Sequence, residues 1–273
     1  LPMMITKLEE IVSAAKARGP KRIAVACAAD THTLSAVGEA YAKGLVTPVL
    51  FGPRAEIERI CRELGYDPSA FIIVDEASDL KCVELAVKAV ATGEADVLMK
   101  GLVSTDKYMR GILNKEAGLF PPKGVLSHVA VIELPGYHKL LCMSDAAVLP
   151  EPDFKQKTVL IKYLAKVAAT LGVERPKVAC ITPSELVLPT VISSTEAAVL
   201  AKMGDRGQLG NVEVDGPLSI DVALYSEVAK EKKVQGSTVA GDPDCLLMPN
   251  IESANVLFKS ATHFAGASIA AMV

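Results

Sequence analysis

The sequence predicts an α/β protein of two domains, each a parallel or mixed sheet flanked by helices. Three observations lead there. Short apolar runs of strand length alternate with stretches whose apolar residues recur at helical spacing. A Pro121-Pro122 pair interrupts that alternation, and 273 residues suit two domains, 1–119 and 120–273. Half the residues are hydrophobic, yet aromatics make up only 4% and Trp is absent, so the cores must be built from Val, Leu, Ile and Ala.

In the first half, Ile5, Leu8, Ile11, Val12 and Ala15 mark an amphipathic helix over 5–16, stopped by Gly19-Pro20. A buried strand follows at 22–27, then a helix at 33–43 ended by Gly44. Strands are expected at 47–51 and 71–74, and helices at 55–63 and 79–92. A fourth buried strand, 95–99, leads through 100–105 into a helix over 106–115, with Tyr108, Met109, Ile112 and Leu113 on its apolar face. Strands separated by helices imply a parallel sheet covered on both faces.

In the second half, two apolar runs, 124–133 and 139–143, are joined by Pro135-Gly136 and form a hairpin. Residues 150–152 are an extended or turn segment, and 153–171 make a long helix with Lys155, Lys157 and Lys162 on its solvated face. Strands are expected at 177–181, 212–215 and 245–248, and helices at 194–202, 218–230 and 251–264. A last apolar, buried strand starts at 267.

The net charge of −3 argues against a nucleic-acid or membrane-surface partner. No run reaches the roughly 18 apolar residues of a membrane span. The start, Leu1-Pro-Met-Met-Ile5, lacks the basic and apolar regions of a signal peptide, and Leu1-Pro2 read as an addition ahead of Met3. The six cysteines, at 27, 61, 82, 142, 180 and 245, show no C-x-x-C spacing and lie in apolar contexts. They read as reduced thiols rather than a disulfide framework or a zinc site, which suits a soluble cytoplasmic protein.

There is no G-x-x-x-x-G-K-[ST], no G-x-G-x-x-G after a strand, no H-E-x-x-H and no G-x-S-x-G. What remains is a set of polar residues at strand–helix turns. The turn after Met99 gathers Lys100, Gly101, Ser104, Thr105 and Arg110, with Ser104 or Thr105 as the N-cap. It reads either as an anion site at a helix N-terminus or as an ordinary βα loop with a solvated Lys. The others are Asp30-Thr31, Ser127-His128, Ser144-Asp145, Asp205-Arg206, Asp215-Gly-Pro217 with Asp221, and Pro249-Asn250 with Asn255. Asp215-Gly-Pro217 can equally be a turn, Asp205-Arg206 a surface pair, Asn250 an N-cap and His128 a core histidine. Together these residues would line one cleft if both sheets presented their carboxyl ends to it.

Four ordered blocks make the sequence similar to a known family. They are ADVLMKGLVSTDKYMRGILNKEAGL, LSHVAVIELPGYHKLL with SDAA, KMGDRGQLGNVEVDGPLSID, and DCLLMPNIESANVLFK with HFAGA. They resemble the phosphate acetyl/butyryltransferases, and the Lys-Gly-Leu-Val and Ser-His-Val-Ala forms resemble the butyryl branch. The resemblance implies a fold like that of isocitrate and isopropylmalate dehydrogenases, with the active site in the interdomain cleft. It implies the reaction acyl-CoA + phosphate ⇌ acyl phosphate + CoA by direct transfer, with coenzyme A as substrate, no cofactor and no metal. A homodimer or larger assembly is implied too. The alternatives are a phosphate acetyltransferase and a non-catalytic CoA-binding relative.

Carried over to this sequence, the resemblance matches Arg110 to the family's substrate-side Arg with Thr105 in the same loop, Ser127 to the polar residue opening the second domain, and Asp215-Gly-Pro217 and Pro249-Asn250 to cleft turns. With the polar strand–helix turns added, Arg110, Ser127 and Asp215 are expected to be catalytic, and Lys100, Ser104, Thr105, His128, Asp145, Pro249 and Asn250 to bind substrate. The family usually continues past the strand at 267–273 into a short tail that returns to the first domain with a Ser-Arg pair and an Asp. That tail carries phosphate contacts and the proposed base, so residues 1–273 alone are expected to fold but to turn over slowly. Cationic side chains, hydroxyls and helix N-termini suffice to hold phosphate, and no cysteine nucleophile is required.

Overall fold

The computed structural model describes residues 4–273; Leu1-Pro2 lie outside the described residues. The described chain divides into two units, 12–124, and 4–11 together with 125–273. Sequence reading kept 1–11 with the first. Instead Ile5, Leu8 and Ile11 pack against the core of the second, and the Ile5 N–H donates to the Leu171 carbonyl at 2.8 Å. Leu8 and Ile11 open the first helix, α1 (Leu8–Ala17).

In the first unit four parallel strands stand in the order β3-β2-β1-β4. They are β1 (Lys21–Ala26), β2 (Val46–Gly52), β3 (Ile72–Asp75) and β4 (Val97–Lys100). The helices between and after them are α2 (Thr31–Ala42), α3 (Arg54–Glu63), α4 (Asp79–Ala91) and α5 (Thr105–Leu113). Val25, Leu50 and Ile73 of the sheet pack with Leu34 and Val37 of α2 and Ile57 and Ile60 of α3. The chain steps outward from β1 to β3, then returns to the other side of β1 for β4. The exits of β1 and β4 are therefore the point where strand order reverses, the usual ligand position of an open α/β sheet. β4 is an edge strand and only partly buried, unlike the buried strand its apolar run suggested.

The second unit has six strands in the order β10-β5-β6-β9-β7-β8. β5 (Val129–Glu133) and β6 (Leu141–Ser144) form the antiparallel hairpin expected around Pro135-Gly136. β7 (Lys177–Ile181), β8 (Glu213–Leu218) and β9 (Cys245–Leu247) continue the sheet in parallel from β6. β10 (Ser268–Met272) pairs antiparallel with β5. It is a largely exposed edge strand rather than a buried one, because its outer side meets no other strand among the described residues.

Period-two alternation assigns each face of this sheet its own core. Val131, Cys142, Val178, Cys180, Cys245 and Leu247 join one cluster with α6 (Phe154–Thr170) and α7 (Ile192–Asp205). Ile132, Leu141, Met143, Ala179 and Leu246 join the other with α8 (Ile220–Leu224), α9 (Ser226–Glu231) and α10 (Ile251–Phe264).

The single helix expected over 218–230 is two short helices broken at Tyr225, whose backbone is extended. The cause is tertiary: the Ala223 carbonyl accepts the Gly241 N–H at 2.8 Å instead of continuing the helix. On α6, Lys157 is not on the solvated face. It is buried and pairs with Glu196 of α7. Its spacing to Leu160, Ile161 and Leu164 puts it on the same stripe as those core residues.

Candidate active site

At the carboxyl edge of the first sheet the exits of β1 and β4 are tied together. The Gly101 N–H donates to the Ala26 carbonyl at 2.8 Å, and the Leu102 N–H to the Cys27 carbonyl at 2.9 Å. Gly101 is required by this approach, since a Cβ there would run into the carbonyls of Cys27 and Ala26. Ser104 caps α5 by accepting the Lys107 N–H, and Thr105 is the helix's first residue. Asp30 caps α2 in the same way, accepting the Thr33 N–H at 2.9 Å and hydroxyl at 2.8 Å, which lowers its pKa.

Three cations flank the β4–α5 turn. Lys107 pairs with Asp79 at 3.0 Å, and Arg110 pairs with Asp106 one turn back on α5, also at 3.0 Å. Lys100 makes only a 3.5 Å contact with the Gly101 carbonyl. The Arg110 and Asp106 side chains are 77% and 68% exposed, so their pairing holds Arg110 weakly and leaves it free to meet an anion.

The carboxyl edge of the second sheet carries a denser network. Asp145 is buried and its two oxygens accept the backbone N–H groups of His128, Ala147, Val148 and Leu149. Four donors occupy this carboxylate, so it anchors the 145–149 loop rather than standing free as a base. The peptide bond before it, Ser144-Asp145, is cis. The Ser144 hydroxyl donates to the His128 carbonyl at 2.8 Å. Its single proton being used there, the 3.0 Å contact with Ser127 must be donated by the Ser127 hydroxyl.

His128 is buried edge-to-face against Phe258 of α10, with ring centroids 6.3 Å apart. Burial pushes its imidazole below the usual pKa, and the Asp145 charge opposes this only in part. Asn250 caps α10 by accepting the Ser253 N–H at 2.9 Å, and Asn255 donates to the Ala146 carbonyl at 3.2 Å. The Met248 N–H bonds to the Ser144 carbonyl, which sets the Pro249-Asn250 turn beside the Ser144-Asp145 loop.

Asp215 keeps other company. It sits in the middle of edge strand β8, where it accepts its neighbour Gly216's N–H at 2.8 Å. With Arg175, Asp205, Glu213 and Thr238 it lines a polar cleft of about 400 Å³. No described hydrogen bond links it to Ser127 or His128.

Two clusters escaped sequence reading. Lys157 and Glu196 line a water-sized void with Cys180, Ser193, Met248 and Pro249. Just past β8, Ser219, Asp221 and Glu185 gather around Lys232. Asp221 and Pro249 are already among the polar strand–helix turns, but Lys157, Glu196, Glu185 and Lys232 are far apart in sequence, and of these only Lys157, by its place on the apolar stripe of α6, left a readable signal. Among the described residues no group of three His, Cys, Asp or Glu is arranged to hold a metal ion. No described helix is long and apolar enough to cross a membrane.

The family model described as "Phosphate acetyl/butaryl transferase" matches residues 6–87 and 80–271. The chain belongs to this family.

As a phosphate acetyl/butyryl transferase family member, it is an acyltransferase. It is 43% identical over 260 residues to a phosphate butyryltransferase of Clostridium acetobutylicum, covering 95% of this chain and 86% of that one. It is 40% identical over 266 residues to a phosphate acetyltransferase of Thermotoga maritima, covering 97% and 89%. The solved structure of a branched-chain phosphotransacylase from Enterococcus faecalis superposes with a TM-score of 0.79 at 26% identity, covering 92% of this chain and 87% of that one. The carboxyl edge of the first sheet thus carries exposed cations, and that of the second carries buried hydroxyls and an imidazole on a hydrogen-bonded loop.

Proposed function

We propose that the chain transfers a short acyl group, butyryl or similar, between coenzyme A and inorganic phosphate. In the forward direction a phosphate oxygen attacks the thioester carbonyl and the carbonyl electron pair moves onto oxygen. The resulting tetrahedral oxyanion collapses, the C–S bond breaks, and CoA leaves as the thiolate, which takes up a proton. The atoms balance without an acyl-enzyme, a metal or a further cofactor. Holding two substrates in register supplies much of the acceleration.

The observation that carries this reading is the 43% identity to a phosphate butyryltransferase across 95% of the chain. The site chemistry supports it. Lys100, Arg110 and the start of α5 with Ser104 and Thr105 suit a phosphate-bearing ligand. His128 and the Pro249-Asn250 turn suit the acyl carbonyl, and the Ser127 hydroxyl, whose proton goes to Ser144, braces the chain next to His128. Six free, buried cysteines agree with a cytoplasmic enzyme, and the family resemblance with a homodimer or larger assembly. The 40% identity to a phosphate acetyltransferase favours acetyl as a second acyl group. CoA release measured with phosphate and acetyl-, butyryl- and branched-chain acyl-CoA separates the two. Highest kcat/KM on butyryl-CoA is expected; release from none of them would refute the reading.

A further inference from the structure

The Nδ1 atom of His128 is buried and has no hydrogen-bond partner among the described residues. An unpaired polar atom inside a protein destabilises the fold, so its presence calls for a reason. Its surroundings are otherwise fully bonded: the His128 N–H goes to Asp145, its carbonyl to Ser144, and the ring lies against Phe258. The imidazole is thus gripped on its backbone and one face but offered no partner in the interior. No carboxylate or carbonyl stands at Nδ1 to accept a proton there. Nε2 has no partner among the described residues either, and it is not among the buried unpaired atoms, so it retains access to solvent.

Buried N–H groups without acceptors are rarer than buried acceptors without donors. The tautomer that leaves only a lone pair in the interior is therefore the one with its proton on Nε2. Resting on the acyl-transfer reading above, we propose that His128 is a catalytic residue, a neutral imidazole whose Nε2–H donates a hydrogen bond to the thioester oxygen as it becomes an oxyanion. The proton stays on His128 throughout; the bond shortens as charge builds on oxygen and relaxes when the C–S bond breaks. A neutral donor held in an apolar setting can serve this role without a compensating charge. The depressed pKa of the ring agrees with it, the nearby charge being Asp145, already occupied by four backbone donors.

The test uses the full chain. ¹⁵N spectra of the histidine-labelled wild type, assigned with H128Q, should show an unprotonated Nδ1 and a protonated Nε2 for this ring at pH 7. A protonated Nδ1, or a doubly protonated ring, would overturn the proposal. His128→Ala should lower kcat for acyl-CoA and phosphate by about 10²-fold, with a smaller change in KM. His128→Gln, which keeps an amide N–H, should recover most of that loss. H128A at the wild-type rate beside an active wild type refutes this role alone, whereas an inactive wild type refutes the parent reading and the role with it. Should H128A not fold, the wild-type spectrum and the H128Q rate decide.

Discussion

The carboxylate of Asp145 accepts the backbone N–H of His128 at 3.0 Å while also holding those of Ala147, Val148 and Leu149 at 2.8, 2.8 and 3.1 Å. One buried side chain therefore fixes both the ring-bearing residue and the loop beside it. Asp145→Asn turns one of the two acceptors into a donor aimed at N–H groups. Stability should fall on the order of 1.5–3 kcal/mol, read as a lower urea midpoint. Turnover should fall further than the unfolded fraction accounts for. Unchanged turnover in the folded variant would mean that the loop does not position His128.

Arg110→Ala separates binding from folding. Because its ion pair with Asp106 is exposed, removing it should change stability by about 0–1 kcal/mol at most. Loss of a charge-assisted substrate contact should lower kcat/KM by the equivalent of about 1.5–3 kcal/mol. Lys100→Ala is expected to act in the same direction. If both variants keep the wild-type kcat/KM for every substrate, the β4–α5 turn is not a substrate site.

Gly101→Ala tests the tie between β1 and β4. The added methyl meets the backbone carbonyls of Ala26 and Cys27, which cannot swing aside as a side chain would. The variant should lose about 1–3 kcal/mol, measured by thermal unfolding, and lose affinity for phosphate as the two exits are forced apart. A variant as stable as the wild type would show that this close approach is not required.

Lys157 and Glu196 form a pair in which the lysine is almost fully buried. Lys157→Met leaves Glu196 beside the void without its partner, and should destabilise by up to about 3 kcal/mol. Adding Glu196→Leu should restore most of that, which a double-mutant cycle in urea would read. If the double variant is as unstable as the sum of the singles, the two residues act separately.

No cysteine is expected to carry an acyl group. Burial pushes the Cys180 thiol up to about 12, so it is protonated at neutral pH. The native thiol keeps its proton where the unfolded thiol, near 9.0, has lost it. The thiol's contribution to stability is therefore intact below pH 9 and lost as pH rises from 9 toward 12. Cys180→Ala should flatten that alkaline loss in denaturation measured from pH 8 to 11, and Cys142→Ala and Cys180→Ala should both retain most activity. A labelled acyl group trapped on either thiol would overturn this.

The strands were legible because aliphatic runs of the right length can be little else, and the hairpin because Pro135-Gly136 allows a turn. The β4–α5 turn was legible because cap, glycine and cations are neighbours in sequence. What could not be read is what depends on remote partners. Gly241 ends α8 by binding the Ala223 carbonyl, and nothing local foretells it. Glu196 makes Lys157 tolerable inside, and a lysine on an apolar stripe reads as solvated until that partner is known. Asp215 stands next to a glycine and a proline like a residue of a site turn, yet strand pairing carries it to the outer edge of the sheet. Asp145 reads as one more polar turn residue until its four backbone donors, the remote His128 among them, are counted.

The placement of β9 has a consequence for synthesis. This three-residue strand is the bridge between β6 and β7, although it follows both, and β8 as well, along the chain. A growing chain that has emerged only as far as β8 holds two separate ribbons, β5–β6 and β7–β8, each with an apolar flank and an unsatisfied row of backbone donors and acceptors. They cannot join until Cys245-Leu246-Leu247 arrives between them. Truncation between Leu218 and Cys245 should therefore yield not a smaller version of this unit but two sticky halves, and the ribosome must release the chain through Leu247 before its larger sheet can close from the middle.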